Sequence, residues 1–208
     1  MTKGDLDYLT LILDRGLLAS PCIELGGGFA EHSAKGLLRS RGIECATTDL
    51  HGDVDYLVNF ESDDASAAID RRFASALVLN VLEHTFDPIR ILDNVMKILT
   101  PGGSCVVVAP SVWPIHSYPI DCWRVLPDFY REYAKRRGLE IIEDTLLYAG
   151  TDASPTTSLP LPGRSSGHRL YSRIVHRAFN TYGRGMVSPS HVAIAAVFRN
   201  RAADASHA

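Results

Sequence analysis

Two periodicities take turns along this chain, and their alternation leaves few folds open. Short apolar runs recur at 21–25, 43–50, 54–59, 74–82 and 104–110, more weakly at 139–148, and a last one closes the series at 191–198. Each is too brief for a buried helix, and several are separated by segments of helical period. The clearest helix opens at Asp87-Pro88, a capping residue followed by proline at the first helical position. Ile91, Leu92, Val95, Ile98 and Leu99 then fall on one stripe, and Pro101-Gly102-Gly103 ends it. A second helix is expected from Pro127 to Gly138 and a third from about 31 to 41. Seven strands alternating with helices imply an α/β fold, a mostly parallel seven-stranded sheet with helices on both faces. The near-continuous apolar run 105–109 suits a strand at the middle of such a sheet.

Composition removes several classes of function. With 208 residues, 46% of them hydrophobic, the chain is expected to form a single domain, 1–208, with a core that needs no staple. Twenty-one basic against 24 acidic side chains leave a net charge of −3, which argues against nucleic acid as a partner. No apolar run approaches the roughly 18 residues of a membrane span, and the first residues carry no signal-peptide pattern. The expectation is therefore a cytoplasmic enzyme-sized domain. Cys22, Cys45, Cys105 and Cys122 form no CxxC pair and read as small buried hydrophobes. His116 and Cys122 lie six apart with no second pair, so no metal site is expected. The stretch 151–167, rich in Thr, Ser, Pro and Gly, is either a functional lid or a loose loop.

The first expected strand runs into Glu24-Leu25-Gly26-Gly27-Gly28. Glycines at a strand end let the backbone turn tightly and approach a ligand without Cβ interference. In an open α/β sheet the crevice beyond such strand ends is where ligands bind. A dinucleotide would want a third glycine at position 31, where this chain has Glu31, whose charge would face the phosphates. No Gly-Lys-Ser/Thr follows either, so the loop suits a nucleoside without phosphates. Asp49 ends the second expected strand about 20 residues further on, where a carboxylate can accept both ribose hydroxyls. Taken singly, the glycines are also an ordinary turn and Asp49 an ordinary turn cap. Together and in order they point to a nucleoside site.

At these residues the sequence resembles the class I S-adenosylmethionine-dependent methyltransferases, over about 21–138 and in the manner of a bacterial small-molecule branch. Glu24, Gly26, Gly27 and Gly28 match the family's acidic-glycine motif, with Ala30 in place of its last glycine. Asp49, with Leu50 beside it, matches the ribose-binding acid. Asn59 and Phe60 stand where the family contacts the adenine edge, and Asn80, Val81 and Leu82 open the segment after the fourth strand. The resemblance implies the Rossmann-like class I methyltransferase fold and S-adenosylmethionine as cofactor. Segments 111–135 and 151–186 would form the substrate pocket and lid.

The loop after the fifth strand, His116-Ser-Tyr-Pro-Ile-Asp-Cys-Trp-Arg124, would lie over the sulfonium. His116, Asp121 or Tyr118 would act on the attacking group, and Trp113, Trp123, His84, Tyr171 and Tyr182 would line the substrate side. Aromatic faces there favour positive charge by about 0.5–2 kcal/mol. Each assignment has a structural rival: Trp123 as core, Asp121 as the partner of Arg124, His84 as a helix-entry residue, and the two tyrosines as ordinary packing. Nothing at Asn80 reads Asn-Pro-Pro-aromatic, the pattern of related enzymes that methylate base or glutamine amides. The function expected is methyl transfer to a small molecule, in a monomer or homodimer. The rivals are an enzyme that consumes the cofactor itself, releasing methylthioadenosine, and a non-catalytic cofactor-binding subunit.

Overall fold

The computed structural model describes residues 1–28, 32–113, 115–117, 119–150 and 192–201. Its centre is one sheet. Strands β1 (Cys22–Leu25), β2 (Cys45–Asp49), β3 (Tyr56–Leu57), β4 (Phe73–Leu79) and β5 (Leu99–Val112) run parallel, in the order β3-β2-β1-β4-β5. Beyond β5 lies β8 (Val192–Arg199), antiparallel to it over its whole length. The far side of β8 carries two short strands, β6 (Glu140–Ile141) and β7 (Leu147–Gly150). The sheet thus has the seven positions expected, but eight strands.

The eighth comes from a break in the apolar run 139–148. A 3-10 turn, Glu143–Thr145, interrupts the ladder there. Thr145 makes good the loss: its Oγ1 accepts the Val197 N–H at 2.9 Å, and its carbonyl accepts the buried Tyr8 hydroxyl at 2.8 Å. The Val197 N–H and the Thr145 carbonyl thus both keep a partner where the ladder is broken.

Both faces of the sheet are covered, because side chains alternate along each strand. On one face Cys105, Val107 and Ala109 pack with Ile91, Leu92, Val95 and Ile98 of α3 (Pro88–Ile98) and with Tyr130 and Tyr133 of α4 (Pro127–Arg137). On the other, Val106 and Val108 pack with Tyr8, Leu9 and Ile12 of α1 (Lys3–Asp14) and Leu38 of α2 (Lys35–Ser40). Helix α3 begins as its sequence requires, with the Asp87 side chain accepting the Arg90 N–H. That cap contributes about 1 kcal/mol. Burying four aliphatic side chains contributes roughly 1.5–3 kcal/mol each, so packing and not capping holds the helix. Gly138 stops α4 in the left-handed conformation.

Helix α1 was not expected. Its signal is Thr2-x-x-Asp5, whose side chains and backbones cap each other reciprocally. The third expected helix is shorter than 31–41, starting at Lys35. Cys22, Cys45 and Cys105 are buried as expected, whereas Cys122 is exposed. Among the described residues no helix is long and apolar enough to cross a membrane.

Candidate cofactor and acceptor site

Strand order reverses between β1 and β4: β2 and β3 lie to one side, β5 and β8 to the other. The loops leaving β1, β2, β4 and β5 therefore meet around one crevice at the carboxyl ends of the parallel strands.

The first wall is the glycine loop. Gly26 is left-handed, at φ +72°, and its N–H donates to the Thr48 carbonyl at 2.9 Å. A Cβ at Gly27 would stand 2.8 Å from Thr47 Cγ2, and one at Gly28 only 2.6 Å from Asp49 Oδ2. Only glycine lets the backbone lie this close to β2, and the approach is used: the Gly28 N–H donates to Asp49 Oδ2 at 3.0 Å. The other carboxylate oxygen, Oδ1, accepts the Leu50 N–H at 2.6 Å. Asp49 is thereby fixed at the rim, and each oxygen keeps capacity for a further donor. Leu50 contributes this backbone contact while its side chain is exposed. Behind the loop the buried Glu24 accepts the Ser33 hydroxyl and the Ala34 N–H, joining β1 to the start of α2. Burial raises the Glu24 carboxyl above its ordinary range, and those two bonds work against the shift.

The remaining expected cofactor residues divide. Val81 forms the opposite wall, its Cγ2 at 3.0 Å from where a Gly26 Cβ would be. Asn80 is left-handed, at φ +53°, and turns its amide to Asp5 Oδ2 on α1, 3.0 Å away. Leu82 and Phe60 point into the core. Asn59 is exposed, and its side chain accepts the Glu61 N–H in a local turn. Asn94, buried on α3, holds that loop by donating to the carbonyls of Phe60 and Ser62 at 2.9 and 2.8 Å.

The side of the crevice where the acceptor is expected is built by the loops after β4 and β5. They are tied by the Cys122 N–H on the Glu83 carbonyl at 2.7 Å. Arg124 grips the buried Asp121 with both terminal nitrogens and also donates to the Trp113 carbonyl. That guanidinium, with the His116 N–H at 2.8 Å, holds the Asp121 carboxyl well below the usual carboxylate range. So engaged, Asp121 is a poor proton acceptor; what it does is position His116, whose Nδ1 lies 3.3 Å from its Oδ2. The His116 ring meets His84 edge-on, centroids 4.9 Å apart, and Trp113 at 6.2 Å. His84 Nδ1 donates to the Ile120 carbonyl at 2.7 Å, and its Nε2 lies 3.6 Å from Glu83 Oε1. Glu83 is only 1% exposed, and burial pushes its carboxyl up to about 8. Trp123 is exposed rather than core. Tyr118, Tyr171, Tyr182, Ala30, Glu31 and the expected lid 151–186 lie outside the described residues.

Sequence reasoning named His116 and Asp121 but gave no part to Asp5, Glu83 or Asn94. The Thr2–Asp5 capping pattern was the available signal for the first; the others show only in three dimensions. Two surface hollows of about 300 and 290 Å³ lie away from the crevice, one at the opposite end of the sheet near Gly102 and one beside α2 near Arg39. Neither hollow is lined by Asp49 or by the Gly26–Gly28 backbone, which converge at the crevice.

No family model and no curated protein matches the chain. Solved structures do. A SAM dependent methyltransferase from Archaeoglobus fulgidus superposes with a TM-score of 0.54 at 14% identity, covering 94% of each chain. Burkholderia thailandensis 1,6-didemethyltoxoflavin-N1-methyltransferase, with bound 1,6-didemethyltoxoflavin and S-adenosylhomocysteine, gives 0.58 at 10% identity, over 95% of this chain and 78% of that one. The [4+2]-cyclase SpnF gives 0.54 at 15% identity, over 94% and 82%. The chain shares the Rossmann-like methyltransferase fold with these proteins.

Proposed function

We propose that this chain is an S-adenosylmethionine-dependent methyltransferase acting on a small molecule. The observation that carries the reading is Asp49, held at the end of β2 by the Gly28 and Leu50 N–H groups with acceptor capacity to spare. In this reading Asp49 receives the two ribose hydroxyls, and the Gly26–Gly28 backbone and Val81 form the walls on either side. Charge supports it too: the Asp49 carboxylate at the rim favours a ligand with hydroxyl or cationic groups over one with phosphates. A fold neighbour with bound 1,6-didemethyltoxoflavin and S-adenosylhomocysteine supports a small acceptor.

Bound S-adenosylmethionine supplies a methyl group already on a sulfonium leaving group. What the protein adds is alignment, worth roughly 7–11 kcal/mol of barrier. Trp113 gives the acceptor side a flat apolar surface. An acceptor hydroxyl or amine lying against His84 and His116 can give up its proton as the methyl arrives, the usual contribution being about 10²–10⁴ in rate. Asp121 and Arg124 keep the His116 ring in place for that.

Incubation of the purified chain with S-adenosylmethionine alone, followed by mass spectrometry, is the test. An intact cofactor, with S-adenosylhomocysteine forming only when an acceptor is supplied, is expected. Enzyme-dependent methylthioadenosine in the absence of acceptor would replace methyl transfer by chemistry on the cofactor itself, and failure to bind the cofactor would reduce the chain to a non-catalytic fold relative.

A further inference from the structure

We infer that Glu83, His84 and His116 form a binding site for a divalent transition-metal ion at the acceptor end of the crevice. One ligating atom from each of the three lies within 4.8 Å of the other two. Ligand atoms on a tetrahedral ion sit roughly 3.3–3.6 Å apart, given ion–ligand bonds of about 2.0–2.2 Å. Closure by up to roughly 1.2–1.5 Å is therefore needed, and the partly exposed His116, on its loop, can supply it.

Two features beyond proximity point to an ion. The first is Glu83. Both its carboxylate oxygens are buried and accept no hydrogen bond from any other described residue. A buried carboxylate left in that state costs free energy, which a retained proton, a donor or a cation recovers. Among the described residues Asp5 and Asp121 add negative charge nearby, and the Arg124 guanidinium opposes it. The local field thus favours a cation.

The second feature is the tautomer of the two imidazoles. His84 Nδ1 faces the Ile120 carbonyl, which can only accept, so its proton sits on Nδ1 and Nε2 is the basic nitrogen. That Nε2 is turned to Glu83. His116 Nδ1 faces the Asp121 carboxylate, which places its proton on Nδ1 as well. An oxygen acceptor behind each ring is the arrangement that orients metal-binding histidines and raises their basicity. The Cys122-to-Glu83 backbone bond fixes the two loops relative to each other, so much of the site is assembled before any ion arrives.

Two imidazoles and one carboxylate suit zinc, ferrous iron and their neighbours and leave coordination positions open. An oxygen of the methyl acceptor can occupy one, and the ion, in place of imidazole, then lowers its pKa. This use of the ion rests on the proposed function; the ion site itself does not.

Equilibrium dialysis of the full chain against zinc, with metal analysis, is the decisive measurement. Cobalt(II) serves as a second probe through its visible absorption. One equivalent per chain is expected, weakened at least about tenfold in Glu83→Gln, His84→Gln and His116→Gln, with the cobalt bands lost in the same variants. The histidine variants decide the matter if Glu83→Gln does not fold, since circular dichroism reports their fold independently. No retained zinc, or an equivalent that survives both histidine substitutions, would overturn the site. Calorimetry with S-adenosylhomocysteine separates the two readings: zinc bound without nucleoside binding sinks the methyltransferase reading alone, and nucleoside binding without zinc sinks the ion site alone.

Discussion

Asp49 and Gly28 form a pair in which each residue explains the other. The glycine is needed because a methyl group would sit inside the carboxylate, and the carboxylate is held because the glycine N–H reaches it. Asp49→Ala removes both expected ribose bonds. Hydrogen bonds to charged groups are worth about 1.5–3 kcal/mol each, so calorimetry should show S-adenosylhomocysteine affinity falling at least tenfold with the fold intact. Gly28→Ala should weaken binding as well, but by displacing the loop from β2, and should also lower stability by about 1–3 kcal/mol. Asp49→Ala also frees the Gly28 and Leu50 N–H groups, so both variants should melt lower, and an affinity loss larger than the stability loss in the aspartate variant alone would distinguish these causes. The spacing of these two residues was legible because glycine and a strand-end acid have few other reasons to occur in that order. Phe60 and Leu82 were not legible in the same way: a residue adjacent to a crevice can face inward or outward, and both face inward into the core.

The elements that frame the crevice are joined by single polar side chains, and two of these invite a test. Asn94 is buried on α3 and bonds two carbonyls of the loop after β3. Asn94→Ala would leave both without their donor. A loss of about 1–3 kcal/mol is expected, read as a lower denaturant midpoint at unchanged slope. Asp55, beside β2, accepts the Thr47 N–H at 2.7 Å and the Lys35 ammonium at 3.0 Å. These bonds, the Thr47 N–H foremost, lower its carboxyl from the ordinary value. Because the folded value is depressed, Asp55 stabilises the protein above the unfolded carboxylate pKa of about 3.9, and that contribution is lost as pH falls through the folded value. Half of the side chain is in water, so Asp55→Asn should cost only about 0.5–1 kcal/mol at neutral pH. The difference between variant and parent should vanish in acid. Of the helices, those with proline at the first turn were visible at once, whereas α1 hid behind a capping pair whose partner strand lies far along the chain. The break between β6 and β7 was invisible because a 3-10 turn with an apolar flank reads like a continuous strand.

In the molecule as a whole, the crevice joins loops from both halves of the sheet, so a ligand there ties the halves together. S-adenosylhomocysteine at 100 times its dissociation constant should add about 2.7 kcal/mol to stability. For a chain of this length that corresponds to a rise of roughly 5–10 °C in melting temperature, and no shift would argue against a nucleoside site. The two margins of the sheet have a different consequence. One is β3, two residues long, and the other is β6 and β7, interrupted by the turn that Thr145 seals. Exposed strand edges invite templated addition of further chains, and short or interrupted edges discourage it. Among the described residues this sheet offers no long backbone ladder to copy, so its margins give cross-β growth no template and leave contacts between molecules at those margins to side chains.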